Sequence, residues 1–362
     1  MDQNNSKEIK IVIASSIYPP DPGGPATHSK ALFDWLNSKG VKTEIVILSA
    51  YLKFPIGIRH LLYTLTLFKK SLSCNIIYAH DSLGVGLPAV LVSLILRKKI
   101  IIRTGGDVVW ERAMDRNIPL NEWYERGYFN KSIYFQISKF VFLKVDKIIV
   151  PSLFLKNIYE KYYNVTSQKI YIVANPISAT EYKLSVNPKI IFASRLVKYK
   201  NLENVFIALK KVFLLHPELK LVIMGDGPEA GKLKHFAKTL EISDKVIFKG
   251  VVSQKEVLQE TAGCLFTLAP AYTEFNPNYV LQGIFYKKPF IISRNHGLPF
   301  VVPEDFLFSP VNVNELADKI NFLLTDEGYS RALSFVQNID FKMSWENNLE
   351  ENFKVINSLL NG

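Results

Sequence analysis

Short apolar runs rich in isoleucine and valine recur along the chain, each separated from the next by a segment of helical length. One series occupies 9–15, 43–48, 75–79, 99–103, 147–150 and 170–173. A second occupies 189–193, 219–224, 245–248, 264–268 and 289–293. Runs that are apolar throughout read as strands buried on both faces, with crossover helices between them. Right-handed crossovers then wind the strands into parallel sheets covered by helices on both sides. The pattern predicts an α/β fold with two such sheets.

The two series part over 175–188, a polar stretch without periodicity that reads as a linker. The domain boundaries expected are 1–183 and 184–340, followed by a closing segment 341–362 that is mostly helix, with Ser344 as its N-cap. No repeat of solenoid period and no low-complexity tract interrupts this organisation.

At 362 residues the chain is long enough for two cores. Its two cysteines, Cys74 and Cys264, sit far apart in expected buried strands, which argues against a disulfide framework and fits a reducing cytoplasm. No secretory leader is expected from the polar start. The longest apolar run, 84–96, contains Pro88 and is short of the ~20 residues of a membrane span. The net charge of +11 suits phosphates or an anionic lipid surface. No nucleic-acid motif accompanies it, so no nucleic-acid partner is expected. The segment 51–72 sets Lys53, Arg59, Lys69 and Lys70 among apolar residues, and weak, salt-sensitive attachment to anionic membranes is expected from it, the alternative being a helix that covers the sheet with its apolar side.

Ligands of open α/β sheets bind beyond the carboxyl ends of the strands, and the unusual residues collect there. Gly23-Gly24 opens a helix after the first strand, where free N–H groups suit an anion. His80 follows the third strand, and Arg103 to Asp107 the fourth; His28 lies on the first helix. In the second series Arg195 and Lys200 pair a fork donor with a point charge, a set suited to a diphosphate. Glu274 precedes a helix for which Asn276 is the expected N-cap and Pro277 the first residue. The amides of 278–280 are then left to attract phosphate. Gly225, Gly227 and Gly231 imitate a dinucleotide fingerprint, but their spacing is wrong and Pro228 intrudes.

Five segments in order, "PPDPGGPATHSKALFDWL", "ASRLVKYKNLENVFIAL", "LKLVIMGDGPE", "KVIFKGVV" and "TEFNPNYVLQGIFYKKPFIIS", resemble the retaining GT-B glycosyltransferases, specifically glycosyltransferase family 4. The resemblance implies two Rossmann-like domains facing across a cleft, with the last helix crossing back to the first domain. It implies sugar transfer from a nucleotide-diphosphate sugar to a glycan or lipid-linked acceptor, without a metal or other cofactor. Arg195, Lys200 and Glu274 would be catalytic. Gly23, Gly24, Gly225, Val251, Asn276, Asn278, Tyr279 and Gln282 would bind the donor, and Arg103, Asp107, His28 and His80 would stand on the acceptor side. The chain departs from the family in carrying Gln282 where a second glutamate is usual, and Glu-Phe-Asn-Pro-Asn where Glu-Gly-Phe-Gly is common. Two alternatives stay open: a sugar-nucleotide-binding partner subunit of low activity, and a sugar-nucleotide epimerase of the same fold. The setting implied is cytoplasmic, peripheral on the membrane.

Overall fold

The structure, a computed structural model, describes residues 9–21, 23–113, 118–177, 180, 182, 186–341 and 343–360. The chain divides into two compact units. Unit one comprises Met1–Arg112, Gly127–Ala174 and Glu346–Gly362, and unit two Ala113–Arg126 and Asn175–Trp345. The linker expected over 175–188, and the boundary placed at 183 and 184, lie partly outside the described residues.

Unit one holds a parallel sheet of β1 (Lys10–Ser15), β2 (Lys42–Ile47), β3 (Ile76–His80), β4 (Lys99–Arg103), β5 (Lys147–Val150) and β6 (Ile170–Ile172). The strand order is β2-β1-β3-β4-β5-β6. Between them run α1 (Gly24–Ser38), α2 (Ile56–Ser71), α3 (Gly86–Leu96), α4 (Val108–Arg112), α5 (Leu120–Glu125), α6 (Ile133–Lys144) and α7 (Leu153–Tyr163). Of these, α5 lies in the segment assigned to unit two. Right-handed crossovers put α2, α3, α6 and α7 on one face and α1 on the other. Ile11, Val12, Ile13, Ile76, Ile77, Ile101 and Ile148 are completely enclosed, which is why consecutive positions in the middle of these strands are apolar.

Unit two holds β7 (Lys189–Ala193), β8 (Lys220–Met224), β9 (Val246–Gly250), β10 (Phe266–Ala269), β11 (Phe290–Ser293) and β12 (Leu307–Phe308), in the parallel order β12-β11-β10-β7-β8-β9. Its helices are α8 (Leu202–Leu215), α9 (Ala230–Thr239), α10 (Gln254–Ala262), α11 (Asn278–Phe285), α12 (Val313–Leu323) and α13 (Asp326–Gln337). Phe192, Phe206, Ile223, Leu268, Ile291 and Ile320 share one core between sheet and helices. Two expectations are corrected. The two-residue strand β12 was not anticipated, because a run that short has no legible period. The cysteines are free and buried, but each precedes its strand by two residues instead of lying in it.

The last helix, α14 (Trp345–Leu360), starts directly after Ser344, and from Glu346 onward it covers the α1 face of unit one. Tyr78 on β3 donates to Asn352 Oδ1 at 2.7 Å, and His28 Nε2 lies 3.1 Å from Asn348 Oδ1. Asn348 Nδ2 donates to the Ala174 carbonyl at 2.7 Å, and the Trp35 indole to Glu346 at 3.0 Å. A buried seam of hydrogen-bonded polar groups fixes the helix in register where apolar packing alone would let it slide. Among the described residues no helix is long and apolar enough to cross a membrane.

Candidate active site

At the carboxyl edge of the second sheet, two loops are pressed into contact by missing side chains. Gly225 has φ +131°, and a Cβ there would stand 2.0 Å from the Ser194 carbonyl oxygen. A Cβ on Gly227 would stand 2.3 Å from that of Leu196. Leu196 N–H donates to Asp226 O at 2.9 Å, and Ser194 N–H to Met224 O at 3.0 Å. The Gly-Asp-Gly-Pro turn thus backs the strand end that carries Arg195, whose side chain is exposed.

Five residues on, Lys200 closes a 3-10 turn and points inward. Its Nζ lies 2.8 and 3.0 Å from the two carboxylate oxygens of Glu274, and both residues are buried. Asn201, at φ +61°, anchors the turn by donating to the Pro270 and Pro310 carbonyls at 3.1 and 2.7 Å. Glu274 is held by its own backbone: its N–H donates to Asn295 O at 2.8 Å, and its carbonyl accepts from Gly297 N–H at 2.7 Å. The sequence reading gave Lys200 and Glu274 separate duties. The structure bonds them to each other and leaves Arg195 as the outward cation.

Helix α11 begins at Asn278, with Pro277 in the cap position and no side-chain cap. Asn276 is therefore not the N-cap. Pro277 O accepts from Val280 N–H at 3.0 Å, so the free amides are those of Asn278 and Tyr279 and not Val280. The Nδ2 of Asn276 is buried without an acceptor among the described residues. The Tyr279 hydroxyl is committed to Leu268 O at 2.8 Å, which leaves its amide as the group it can offer. Gln282 is buried one turn further along, and Val251 is exposed just beyond β9.

Sequence reasoning missed His296, whose backbone bridges that of Glu274. Burial lowers its imidazole to about 4, and Nδ1 accepts from Leu298 N–H at 3.3 Å. The His-Gly pair after a strand end was the available signal. Also missed was the 118–126 segment, where Leu120 N–H donates to Thr273 Oγ1 at 2.9 Å, beside Glu274.

In unit one, Gly23 caps α1 at φ +140° and Gly24 is the first helical residue. His80 and Arg103 are register partners at the ends of β3 and β4. His28 stacks edgewise on His80, with centroids 5.2 Å apart. Burial first, then the Arg103 charge, pushes His80 down to about 3, and the same causes hold His28 well below its usual value. Both are neutral imidazoles at neutral pH. Asp107 caps α4, accepting from Val109 and Trp110 N–H at 3.0 Å each, and also accepts from the Tyr163 hydroxyl. Asp81 accepts from Val85 N–H at 3.1 Å, and burial pushes its carboxyl up to about 6.

Two parallel doubly wound sheets are the architecture of the GT-B glycosyltransferases, and comparison with known proteins gives the same fold. Residues 179–339 match the family model described as glycosyl transferases group 1. The gpi3 subunit of phosphatidylinositol N-acetylglucosaminyltransferase from Schizosaccharomyces pombe is 21% identical over 96% of this chain and 80% of its own length. N-acetyl-alpha-D-glucosaminyl L-malate synthase from Bacillus anthracis is 24% identical over 72% of this chain and 68% of its own. Sucrose-phosphate synthase from Thermosynechococcus elongatus superposes with a TM-score of 0.75 at 15% identity, covering 98% of this chain and 99% of that one. The chain has the fold of the GT-B glycosyltransferases, and its second unit carries the match to the glycosyl transferases group 1.

Proposed function

We propose that this protein transfers a glycosyl group from a nucleoside diphosphate sugar to an acceptor hydroxyl with retention of configuration, as a family 4 member of its class. The observation that carries the reading is one sheet edge bearing the Lys200–Glu274 pair, the exposed Arg195 guanidinium and the free amides at the start of α11. Charge grows on a departing diphosphate, and donors already in place there lower the barrier. Arg195 offers a fork to two phosphate oxygens, and the Asn278 and Tyr279 amides with the helix dipole take another. They supply the positive charge that a divalent ion supplies elsewhere, so no metal is required, and Lys200 contributes to the diphosphate only as its ammonium is shared with Glu274. Glu274 holds Lys200 and faces the hydroxyls of the transferred sugar.

The acceptor oxygen bonds to C1 on the face from which the phosphate oxygen leaves. The C1–O bond to phosphate breaks, and the acceptor proton passes to a leaving phosphate oxygen. Gln282 holds a ribose hydroxyl with an amide in place of a carboxylate, Val251 lines the base, Gly225 backs the phosphate loop, and Asn276 adds a donor. In unit one, Gly23 and Gly24 offer a helix start to phosphate. Arg103, Asp107, His28 and His80 stand on the acceptor side. The acceptor is a glycan or a lipid-linked glycan, in polysaccharide or glycolipid synthesis, with the protein cytoplasmic and peripheral on the membrane.

Purified protein incubated with a panel of nucleoside diphosphate sugars should release nucleoside diphosphate from one of them. Proton NMR of the product formed on a competent acceptor should show the donor's anomer kept. An inverted anomer would overturn the same-face mechanism. Tight donor binding with no release under any condition would leave the partner-subunit reading instead.

A further inference from the structure

On one face of unit one, three neighbouring helices turn apolar side chains toward water. Every exposed position of α3 is aliphatic: Leu91, Leu94 and Ile95, the last 69% exposed. On α2 the exposed stripe is Ile58, Leu61 and Leu65, spaced three and four apart, and it ends in Lys69. On α6 it includes Ile133, Phe140 and Leu143, and it ends in Lys144. The same fold shows how a water-facing helix ordinarily looks here: α1 exposes Thr27, Lys30, Asp34 and Asn37. The apolar faces are therefore a property of these three helices and not of the chain's composition.

The charges carried by these helices have one sign. None of α2, α3 and α6 contains an Asp or a Glu, and the nearby Glu44 and Asp146 are engaged by Lys70 and Lys99. Each helix leads from one parallel strand to another, so the three run side by side in the same direction, with α3 packed against both neighbours. Their carboxyl ends form one rim, and Lys69, Arg97 and Lys144 stand exposed along it without an acidic partner among the described residues. Three helices at ~9 Å spacing and ~20 Å of length present roughly 400 Å² of nearly flat surface. Exposed apolar area of that order marks an interaction site.

We propose that α2, α3 and α6 together form a docking face for an anionic lipid bilayer, with aliphatic side chains entering the headgroup boundary and the cationic rim pairing with phosphate. A second copy of the chain would bring cation against cation, whereas an anionic membrane is flat, apolar within and opposite in charge. The inference rests on the peripheral-membrane reading above and gives it a surface and a lipid charge; it does not depend on the transfer reaction, which vesicle binding does not read.

The test is co-sedimentation of the whole protein with vesicles of phosphatidylcholine alone and of phosphatidylcholine mixed with phosphatidylglycerol. Binding is expected to the anionic vesicles and to fall with added salt. Lys69→Glu, Arg97→Glu and Lys144→Glu combined should weaken it at least about tenfold. Leu61→Ser, Ile95→Ser and Ile133→Ser combined should do the same, and all six sites are exposed, so thermal melts should stay close to wild type. Absence of wild-type binding overturns the proposal. So does equal recovery on neutral and anionic vesicles that charge reversal does not change. A dimer in sedimentation equilibrium that the serine variant dissolves, without lipid binding, would assign the face to self-association.

Discussion

Arg195 and Lys200 are five residues apart and both basic, yet their surroundings give them opposite roles. The Lys200 ammonium and the Glu274 carboxylate are enclosed together, so removing either partner leaves a charge out of water with nothing to balance it. Lys200→Ala should cost about 3–5 kcal/mol in urea unfolding of unit two. Lys200→Met with Glu274→Leu should recover most of that loss while abolishing turnover. If the double variant is as unstable as the single one, the pair is not the source of the cost. Arg195→Ala leaves no buried group unpaired. Its melting temperature should stay within about 2 °C of wild type while turnover falls roughly 10²–10³-fold. Initial rates on the folded variant within twofold of wild type would remove Arg195 from the site. The sequence marked both cations and Glu274 as chemically unusual. It could not reveal that two of them bond, because that contact is set by the turn Asn201 anchors, and no local pattern encodes it.

At the scale of elements, the strands were legible because burial on both faces demands continuous β-branched runs, and β4, β5 and β7 fall at the limits expected. The start of α11 was not. Asn276 is a common cap type, but Pro277 occupies the cap and the Asn276 amide turns inward. The glycines divide the same way. Gly225 and Gly227 are required by carbonyl oxygens 2.0 and 2.3 Å from where a Cβ would sit, whereas nothing lies within 4 Å of that point on Gly231. Gly225→Ala should therefore destabilise unit two by more than about 2 kcal/mol and depress activity by shifting the loop of Arg195. Gly231→Ala, early in α9, should stabilise it by about 0.4–1 kcal/mol. Opposite signs in parallel denaturation curves are the check. Equal effects would mean the two loops are free to part. The spacing that imitates a nucleotide fingerprint thus reflects two packing constraints and a coincidence.

At the scale of the whole molecule, burial of polar groups in unit one links its stability to pH. His80, faced by His28, Tyr78 and Arg103, titrates near 3 when folded and near 6.5 when free. Below 6.5 the unfolded chain binds a proton that the folded one refuses. The stabilisation is therefore full above 6.5 and lost as pH falls toward 3, at about 1.4 kcal/mol per pH unit. Asp81, raised to about 6, acts in the other direction between about 4 and 6, so the wild-type curve alone does not isolate His80. The stability difference between wild type and His80→Asn, read by hydrogen exchange in β3 and β4, should change in favour of the variant by roughly 1.3 kcal/mol from pH 7 to 5.5 and by about 2 kcal/mol by pH 5. A constant difference would show that His80 titrates normally. Two sheets were legible at this scale from the two series of apolar runs. The membership of 113–126 in unit two was not, since a short segment that leaves its own sheet carries no periodic mark.

The seam that fastens α14 to Tyr78 and His28 also orders events in time. A ribosome delivers residues 346–360 only after all of unit two has been made. At ordinary translation speeds the amino-terminal sheet waits roughly ten to thirty seconds with one face open. Unit two, later in the chain, closes first. The newborn protein depends during that interval on whatever shields its earliest strands, and a nonsense codon just before residue 346 leaves the first unit unfinished.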